Sequence, residues 1–554
     1  MPDKAPQSLR FDGLCDAPDN ASLILARGAG RGEVLEPFGP VWQSARLRLA
    51  RASWDHAGLD VFAQLDVPYT GTSSGRLSED AVHVVLAARQ GEAPLRVLEL
   101  GAGSGIFARM FLEALRRIAP EIHATARYVV SDGSAALLDA QRREGLLSAH
   151  AAQVDYRVLD ITGDWGDVGE FDAIFGTYIL DSLPFDLLAI RDAQVWRREG
   201  RSVLDAVAEA PEREAAEALR LALETGADLR PFRGLAPFIG LQTRHVPVAR
   251  ADLPHAATLP DRTGGETLPF VHSHGALDCL DRCLSHLRPG GVMVFSDYGH
   301  LEPHGAHDLV GFQSYGETVA VGLNFPQIGA AMEARAEARL WKAESDGGNL
   351  HTRVIQRRPG PDLAEVVEDR YGPLRLNALT APCEVARDFL RGRMFEVARG
   401  IYAKALRLEP RNWALMQEIA GMLANSGDAR AAAEMAAEGL ALNPLSAEMW
   451  RVKGVAHLDL GEPQEARAAL SRATALAPGS AIAWLALARL EIAQGLARPA
   501  LLALAEALAA DREGDLRDEI MEAQQKALAG QAKDQWRRLI VSANIFRPLD
   551  DSPE

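Results

Sequence analysis

Three glycines and one acid form the segment whose residue types are best suited to bind a ligand. They are Glu99, Gly101, Gly103 and Gly105. The apolar run 95–100 predicts a buried strand, and the run 107–118 predicts an amphipathic helix after the glycines. Glycine lets the backbone turn tightly and approach a ligand, and the helix start supplies unpaired N–H groups. A dinucleotide-binding pattern would need its third glycine at position 106, which is Ile106.

Two further acids follow the next two predicted strands. The run Tyr128–Val130 leads to Asp132, and the run Tyr156–Leu159 leads to Asp160. The carboxyl ends of parallel strands border the ligand crevice of an open α/β sheet, where a carboxylate can accept hydrogen bonds from both hydroxyls of a ribose. The alternative for Asp132 is a helix N-cap, because a helical run opens directly after it. The alternative for Asp160 is an acid in a solvated turn.

Polar residues after the fourth and fifth predicted strands are the candidates for acting on a second substrate. The strand-like runs Ala173–Phe175 and Val292–Phe295 alternate with helical runs, which is typical of a βαβ sheet. The candidates behind them are Tyr178, Asp181, Asp297 and Tyr298. Each could orient an acceptor or take a proton from it, and each could equally have a structural role. Asp181 is the first choice and Tyr178 the second.

Taken in this order, the motifs resemble those of class I S-adenosylmethionine (SAM) methyltransferases. The segment from Glu99 to Gly105 resembles their motif I, and Asp160 resembles the residue that receives the adenine amino group. The resemblance implies an α/β fold with a Rossmann-like seven-stranded sheet and SAM as cofactor. The residues that it assigns to cofactor binding are Glu99, Gly101, Ala102, Gly103, Gly105, Asp132, Gly133, Asp160, Ile161, Gly176 and Thr177.

Residues from about 65 to 355 further resemble the MidA-like methyltransferases, whose mitochondrial members are arginine methyltransferases that assist the assembly of respiratory complex I. That family carries Asn-Glu-x-x-Asp-Ala-Leu-Pro after strand 4 and Asp-Tyr-Gly after strand 5. The matching residues here are Asp181, Leu183, Pro184, Asp297, Tyr298 and Gly299, together with Ser131–Ser134 and Gln141 after strand 2. Thr177 and Tyr178 replace the Asn-Glu pair, which removes a carboxylate that could hold a guanidinium. The resemblance therefore leaves the acceptor open, arginine included.

An internal repeat of 34 residues occupies the C-terminal third. The residues in register are Pro410, Pro444 and Pro478, Gly427, Gly461 and Gly495, Leu408, Leu442 and Leu476, and Trp450 and Trp484. This period with these residue types resembles the tetratricopeptide repeat (TPR), a helix–turn–helix unit. We expect about three and a half repeats over 380–512 and a capping helix near 514–530, because a terminal repeat must cover an exposed core.

These motifs predict five segments along the chain. They are an N-terminal helical appendage or lid (1–75), a methyltransferase domain (76–357) with an insertion at about 187–270, a linker (358–379), TPR repeats with a capping helix (380–530) and a tail (531–554). The runs Ala338–Lys342 and Leu350–Ile355 predict a hairpin that closes the methyltransferase sheet with a reversed last strand.

The composition excludes several functional classes. A net charge of −17 argues against general affinity for nucleic acid or an anionic membrane. Four cysteines, with no signal-peptide apolar region and no run of transmembrane length, predict a cytoplasmic protein. His272, His274, Cys279 and Cys283 raise the question of a metal site. The two cysteines lie on an amphipathic helix, so structural thiols are favoured and no metal is expected.

The sequence therefore predicts a SAM-dependent methyltransferase that acts on a protein or peptide recruited partly through the TPR repeats. Two alternatives stay open. One is a TPR assembly or scaffold protein with a non-catalytic methyltransferase fold. The other is a small-molecule methyltransferase of a biosynthetic cluster, with repeats used for docking or dimerisation. A homodimer is compatible with each of these alternatives.

Overall fold

The computed structural model describes residues 7–8, 22–24, 32–57, 75–191, 193–205, 207–261, 267–302, 311–315, 318–344, 350–372, 380–511 and 514–542. The chain divides into two compact units. Of the described residues, the first holds those up to 372 and the second those from 380 to 542. Among the helices of the described residues, none is long and apolar enough to cross a membrane.

The first unit contains all the described strands, numbered here in chain order. They are β1 (Gln7–Ser8), β2 (Ser22–Ile24), β3 (Glu33–Val34), β4 (Gly39–Pro40), β5 (Arg96–Leu100), β6 (Arg127–Asp132), β7 (Val154–Val158), β8 (Phe171–Thr177), β9 (Asp186–Arg191), β10 (Gln194–Leu204), β11 (Ile239–Val248), β12 (Leu268–His272), β13 (Leu287–His300), β14 (Gly311–Tyr315), β15 (Thr318–Val321), β16 (Leu323–Asn324), β17 (Ala338–Trp341) and β18 (Leu350–Arg357). Its helices are α1 (Ala45–Ala57), α2 (Arg76–Ala88), α3 (Ile106–Ile118), α4 (Pro120–Thr125), α5 (Ala135–Glu144), α6 (Ala210–Thr225), α7 (His274–His286), α8 (Phe325–Glu333) and α9 (Ala364–Tyr371).

The main sheet has the strand order β7-β6-β5-β8-β13-β18-β17, and the short β16 pairs with the end of β13. Strands β5, β6, β7, β8 and β13 run parallel, whereas β18 is antiparallel to both of its neighbours. The Rossmann-like seven-stranded sheet predicted from the sequence is confirmed, as is its closing hairpin with a reversed last strand. This order places β5 near the centre, with its carboxyl end beside those of β6 and β8.

Both faces of the main sheet are buried, which explains why its parallel strands have nearly continuous apolar sequences. On one face, Val97 of β5 packs in a core with Phe107 and Phe111 of α3. On the other face, Leu98 and Leu100 pack in a second core together with α7 and α8. The carboxyl end of β5 is therefore held rigidly from two sides.

A second, antiparallel sheet is formed by chain inserted between β8 and β13. Its order is β12-β9-β10-β11-β2, and β3 and β4 pair with β10. Residues 1–75 were predicted to form a helical appendage, and this prediction was wrong in part. Strands β2, β3 and β4 of that segment join the second sheet, and α1 is its one α-helix among the described residues. Pairing with strands more than 150 residues away overrides the local helical pattern. Residues 58–74 of that appendage lie outside the described residues.

The second unit is an all-helical array. Its helices are α10 (Thr380–Arg391), α11 (Phe395–Leu408), α12 (Trp413–Asn425), α13 (Ala429–Leu442), α14 (Ala447–Asp459), α15 (Pro463–Leu476), α16 (Ala481–Ala493), α17 (Ala497–Ala510) and α18 (Arg517–Ser542). They form four helix pairs followed by a long final helix, so the prediction of three and a half repeats was half a repeat too short. The final helix also runs past residue 530, where the predicted cap ends.

Helix caps and turns explain why the same residue types recur every 34 positions. Asn412, Ser446 and Ser480 cap α12, α14 and α16 by accepting a backbone N–H three residues on. Gly427, Gly461 and Gly495 have φ angles of 86°, 74° and 71° in the turns within each pair. The first helices of successive pairs contact one another from α12 to α16, as on the inner side of a curved solenoid.

Candidate active site

The glycine turn after β5 requires glycine for its own geometry. Gly101, Gly103 and Gly105 have φ angles of 58°, 53° and 77°, which other residues adopt at a cost. A Cβ at Gly101 would collide with Cδ1 of Ile179, and a Cβ at Gly105 would lie 2.9 Å from Oε1 of Gln141. The backbone is therefore packed closely on this side, and α3 starts directly behind it.

The end of β6 and the helix behind it hold the glycine turn in place. Gln141 Nε2 donates to the Gly103 carbonyl at 2.6 Å, and the Ala102 N–H donates to the Ser131 carbonyl at 2.8 Å. Ser131 Oγ donates to the Glu99 carbonyl at 2.6 Å. Ser131 and Gln141 are both fully buried. They belong to the MidA-like pattern, but sequence reasoning assigned no role to either.

Asp132 bridges the glycine turn and the start of α5. Its Oδ2 accepts the Gly103 N–H at 3.1 Å, and its Oδ1 accepts the Ser134 N–H at 2.9 Å. The alternative interpretation of Asp132 as a helix N-cap is wrong, because Ser134 is the N-cap and accepts the Leu137 N–H. Both oxygens of the Asp132 carboxylate therefore help to fix the turn and the start of α5.

Glu99 is buried at the end of β5, whereas Asp160 is exposed just after β7. Glu99 is 5% exposed and accepts the Tyr128 hydroxyl at 3.1 Å. Burial raises the pKa of Glu99 to about 8, the Tyr128 hydrogen bond opposes that rise, and the Asp132 charge adds to it. Asp160 is exposed and accepts the Thr162 N–H and hydroxyl at 2.8 and 2.7 Å. The neighbouring Ile161 carbonyl accepts Arg282 at 2.7 Å.

Two buried carboxyl groups meet beside the end of β8, Asp181 just after that strand and Asp297 within β13. Oδ2 of Asp297 accepts the N–H groups of Ile179, Leu180 and Asp181 at 3.1, 2.8 and 3.2 Å. Its Oδ1 accepts the N–H of Tyr298 at 2.9 Å. Asp297 is 0% and Asp181 8% exposed, and their side chains hydrogen-bond to each other.

Burial is the largest cause that raises the pKa of both carboxyl groups. The pKa of Asp297 is raised to about 7, with its four backbone N–H groups opposing the rise. The pKa of Asp181 is raised further, by burial and then by the Asp297 charge. Two buried carboxyl groups this close disfavour each other's ionisation, and the four N–H groups favour the charged form at Asp297 rather than at Asp181.

Two tyrosines adjoin the segments that hold these carboxyl groups, and their rings stack on each other. Tyr178 follows β8 directly, has a φ of 55° and donates its N–H to the Ser296 carbonyl at 3.0 Å. Its ring stacks on that of Tyr298, with centroids 5.3 Å apart and an angle of 22° between the planes. Both residues are partly exposed. The structure thus brings together the four residues predicted to act on the acceptor.

The predicted cofactor-binding residues also include the last two residues of β8. Gly176 and Thr177 end β8, where a Cβ at Gly176 would lie 3.2 Å from Ile179 Cγ2. Sequence reasoning missed Ile179, because its contacts are with glycines elsewhere in the fold and no local pattern marks it.

The residues considered for a metal site have other surroundings. Cys279 and Cys283 are fully buried in the core behind α7. His272 contacts Gln327 Nε2 at 2.6 Å through Nδ1 and the Pro254 carbonyl at 2.7 Å through Nε2. Within the described ranges, no group of three or more His, Cys, Asp or Glu residues is arranged to hold a metal ion.

The sheet order, the glycine turn and the acids beside it define the crevice of a Rossmann-like methyltransferase. Residues 77–321 match a family described as S-adenosyl-L-methionine-dependent methyltransferases, and residues 420–481 and 455–515 match the tetratricopeptide repeat. The protein is therefore a SAM-dependent methyltransferase with C-terminal TPR repeats, and SAM is its cofactor. No curated protein matches the chain.

Solved structures resemble parts of the chain at low identity. A native protein from Burkholderia thailandensis is 18% identical, with 60% of this chain and 90% of that chain covered and a TM-score of 0.40. A second structure from that organism, bound to S-adenosyl-homocysteine, is 17% identical over 59% and 92% with a TM-score of 0.40. A thermophilic TPR protein of Thermus thermophilus is 20% identical over 28% and 88% with a TM-score of 0.25. At these scores the structures say nothing further about this chain.

Proposed function

We propose that this methyltransferase acts on a side chain of a protein or peptide, and that the TPR repeats recruit the acceptor or a protein carrying it. The array of four helix pairs carries this proposal. Stacked helix pairs offer an extended concave surface, which suits a polypeptide better than a small metabolite. The described free thiols Cys279, Cys283 and Cys383 suit a reducing cytoplasm. The Asp297-Tyr298-Gly299 stretch supports a place in the MidA-like branch.

The glycine turn and its acids are suited to hold SAM. A Cβ at Gly133 would meet nothing within 4 Å, so the crevice is open between the turn and the start of α5. We assign the ribose hydroxyls to Asp132 and the adenine amino group to Asp160. When bound, SAM supplies an electrophilic methyl group on a positively charged sulfur. The protein then has to orient the acceptor and remove its proton, which in-line positioning and a nearby base achieve.

The Asp181–Asp297 pair supports a role in removing that proton. Asp181 is the more exposed member, and burial followed by the Asp297 charge raises its pKa. In the proposed step, the acceptor gives a proton to Asp181 while Asp181 passes its own proton to Asp297. Four backbone N–H groups hold Asp297 throughout. A pKa of about 7 matches such a base to neutral pH.

The recruitment proposal is tested with two matched substitutions in the full chain. Ile482 is 44% exposed in the first turn of α16, one of the first helices that contact each other along the array. Glu448 occupies the equivalent position 34 residues earlier, and an acid is favourable at a helix start. Leu502 is 64% exposed on α17, the second helix of its pair. Ile482→Glu and Leu502→Glu therefore add the same charge on different helices.

We expect Ile482→Glu to raise the KM for a protein acceptor about tenfold, as for an interface residue of average importance. Leu502→Glu should leave the KM unchanged, and neither substitution should change the Kd for SAM. Acceptors are found first by transfer of a labelled methyl group from SAM to proteins of a cell extract. Equal KM values for both variants would contradict recruitment through the first helices of the pairs. Label found only in small molecules would contradict a protein acceptor.

A further inference from the structure

The stacked tyrosines next to the carboxyl pair in sequence have no role in the steps described so far. Tyr178 is a bulky residue at positive φ, an arrangement that costs free energy and is concentrated at functional sites. Its backbone is fixed by the bond to Ser296, and the next three N–H groups are fixed by Asp297. The ring of Tyr298 then supports the ring of Tyr178 from one side. The fold therefore holds one aromatic face in a set place.

The sheet order sets the distance between this pair and the residue assigned to ribose. Asp132 ends β6, the glycine turn follows β5, and Tyr178 follows β8, so these are three adjacent strands. Neighbouring strands are about 4.8 Å apart, which puts the ends of β6 and β8 about 10 Å apart. In SAM, one methylene group separates the ribose ring from the sulfonium. A cofactor held by Asp132 and crossing the glycine turn therefore brings its sulfonium toward Tyr178.

We propose that the Tyr178–Tyr298 pair attracts the positive charge of the cofactor. The site would then bind the sulfonium of SAM more tightly than the neutral thioether of the product S-adenosylhomocysteine. Tyrosine faces attract cations within about 6 Å of the ring centroid, most strongly when water is excluded. The thioether has the same shape apart from one methyl group but lacks the charge. The inference rests on SAM as the cofactor and does not depend on which acceptor is methylated.

Neighbouring charges cannot substitute for the aromatic pair in this discrimination. The carboxylate of Asp297 also attracts a cation, but it is fully buried and already accepts four N–H groups. Replacing a tyrosine leaves that carboxylate in place. A change in charge preference after ring removal therefore reports on the rings.

The test measures three dissociation constants by calorimetry on the full chain. The ligands are SAM, S-adenosylhomocysteine and sinefungin, in which a carbon replaces the sulfur and an ammonium group replaces the methyl group. The variants are Tyr178→Asn, which tolerates positive φ, Tyr298→Leu, and Tyr178→Phe as the control that keeps the ring.

We expect the ratio of the S-adenosylhomocysteine Kd to the SAM Kd to fall about 2- to 30-fold in Tyr178→Asn and Tyr298→Leu. Sinefungin should weaken together with SAM, and Tyr178→Phe should keep the wild-type ratio. An unchanged ratio in both ring-less variants, or an equal loss of all three ligands in both, would overturn the proposal. Wild-type protein that binds none of the three ligands would instead refute SAM as the cofactor.

Discussion

Replacing Asp181 with asparagine tests the proton step most directly. Asparagine has nearly the same shape and keeps an N–H donor toward Asp297, but it cannot take a proton from the acceptor. The pair therefore keeps its hydrogen bond and loses its relay. We expect the free energy of unfolding to change by no more than about 1 kcal/mol, the net value of one hydrogen bond. Turnover should fall by about 10² to 10⁴, the usual contribution of a general base.

The pH dependence of turnover gives a second readout. The base form of the pair needs one of its two proton sites empty, and the pKa of Asp297 is raised to about 7 by burial. Wild-type turnover should therefore rise with pH through about 7 and level off above it. In Asp181→Asn this rise of turnover with pH should disappear, because the residual activity no longer depends on the ionisation of the pair.

Asp297→Asn is the comparison that separates chemistry from structure. Three N–H groups point at one oxygen of Asp297, and an amide offers only one acceptor oxygen. If its NH₂ group faces them, or if the amide turns and abandons Tyr298, buried N–H groups lose their partner at about 1–3 kcal/mol each. Asp297→Asn should therefore lower the thermal midpoint, unlike Asp181→Asn. Full turnover with an unchanged pH profile in Asp181→Asn would refute the relay.

Two further predictions concern the turn and a buried histidine. Gly101→Ala should weaken SAM binding and lower stability, since the new Cβ needs positive φ (about 1–2 kcal/mol) and collides with Ile179. Adding Ile179→Ala should remove the collision but not the cost of positive φ, so the double variant should recover only part of the lost stability and SAM binding. Equal SAM affinity of the wild type and Gly101→Ala in calorimetry would contradict the close packing. Burial lowers the pKa of His272 from 6.5 to about 4, so its stabilising contribution is present above pH 6.5 and is lost as the pH falls toward 4. Between about pH 7.5 and 5 this contribution changes by about 2 kcal/mol. Urea unfolding should show it as the amount by which the pH dependence of the wild type exceeds that of His272→Gln, because His150, His245 and His300, whose pKa values burial also lowers to about 4, contribute equally to both.

The glycine turn and the main sheet could be predicted because their causes are local in sequence. Glycines at positive φ, an apolar run before them and an amphipathic run after them specify a strand, turn and helix without reference to the rest of the chain. The strict alternation of strands and helices then specifies a parallel sheet. The closing hairpin was predictable for the same reason, because turn-forming residues lie directly between its strands.

Other features depend on contacts that a sequence pattern does not show. The pairing of β3 and β4 with β10 joins residues more than 150 positions apart, so a helical interpretation of the N-terminus was wrong. Asp297 was predicted just after a strand, whereas it lies within β13, which continues to His300. Its four N–H partners could not be inferred from the sequence. The first helix pair has Arg393 at the position that Gly427, Gly461 and Gly495 occupy in the later pairs, which explains the underestimated repeat count.

The clamp of Asp297 on residues 179–181 has a consequence for how the sequence can drift over evolution. Each of these three positions contributes its N–H to the clamp, so proline is excluded from all of them in any homologue that keeps the acid. The size of the side chain at position 179 is constrained as well, because it fills the space left by the missing Cβ of Gly101. Homologues with a larger residue at 101 should carry a smaller one at 179, and the two positions should covary.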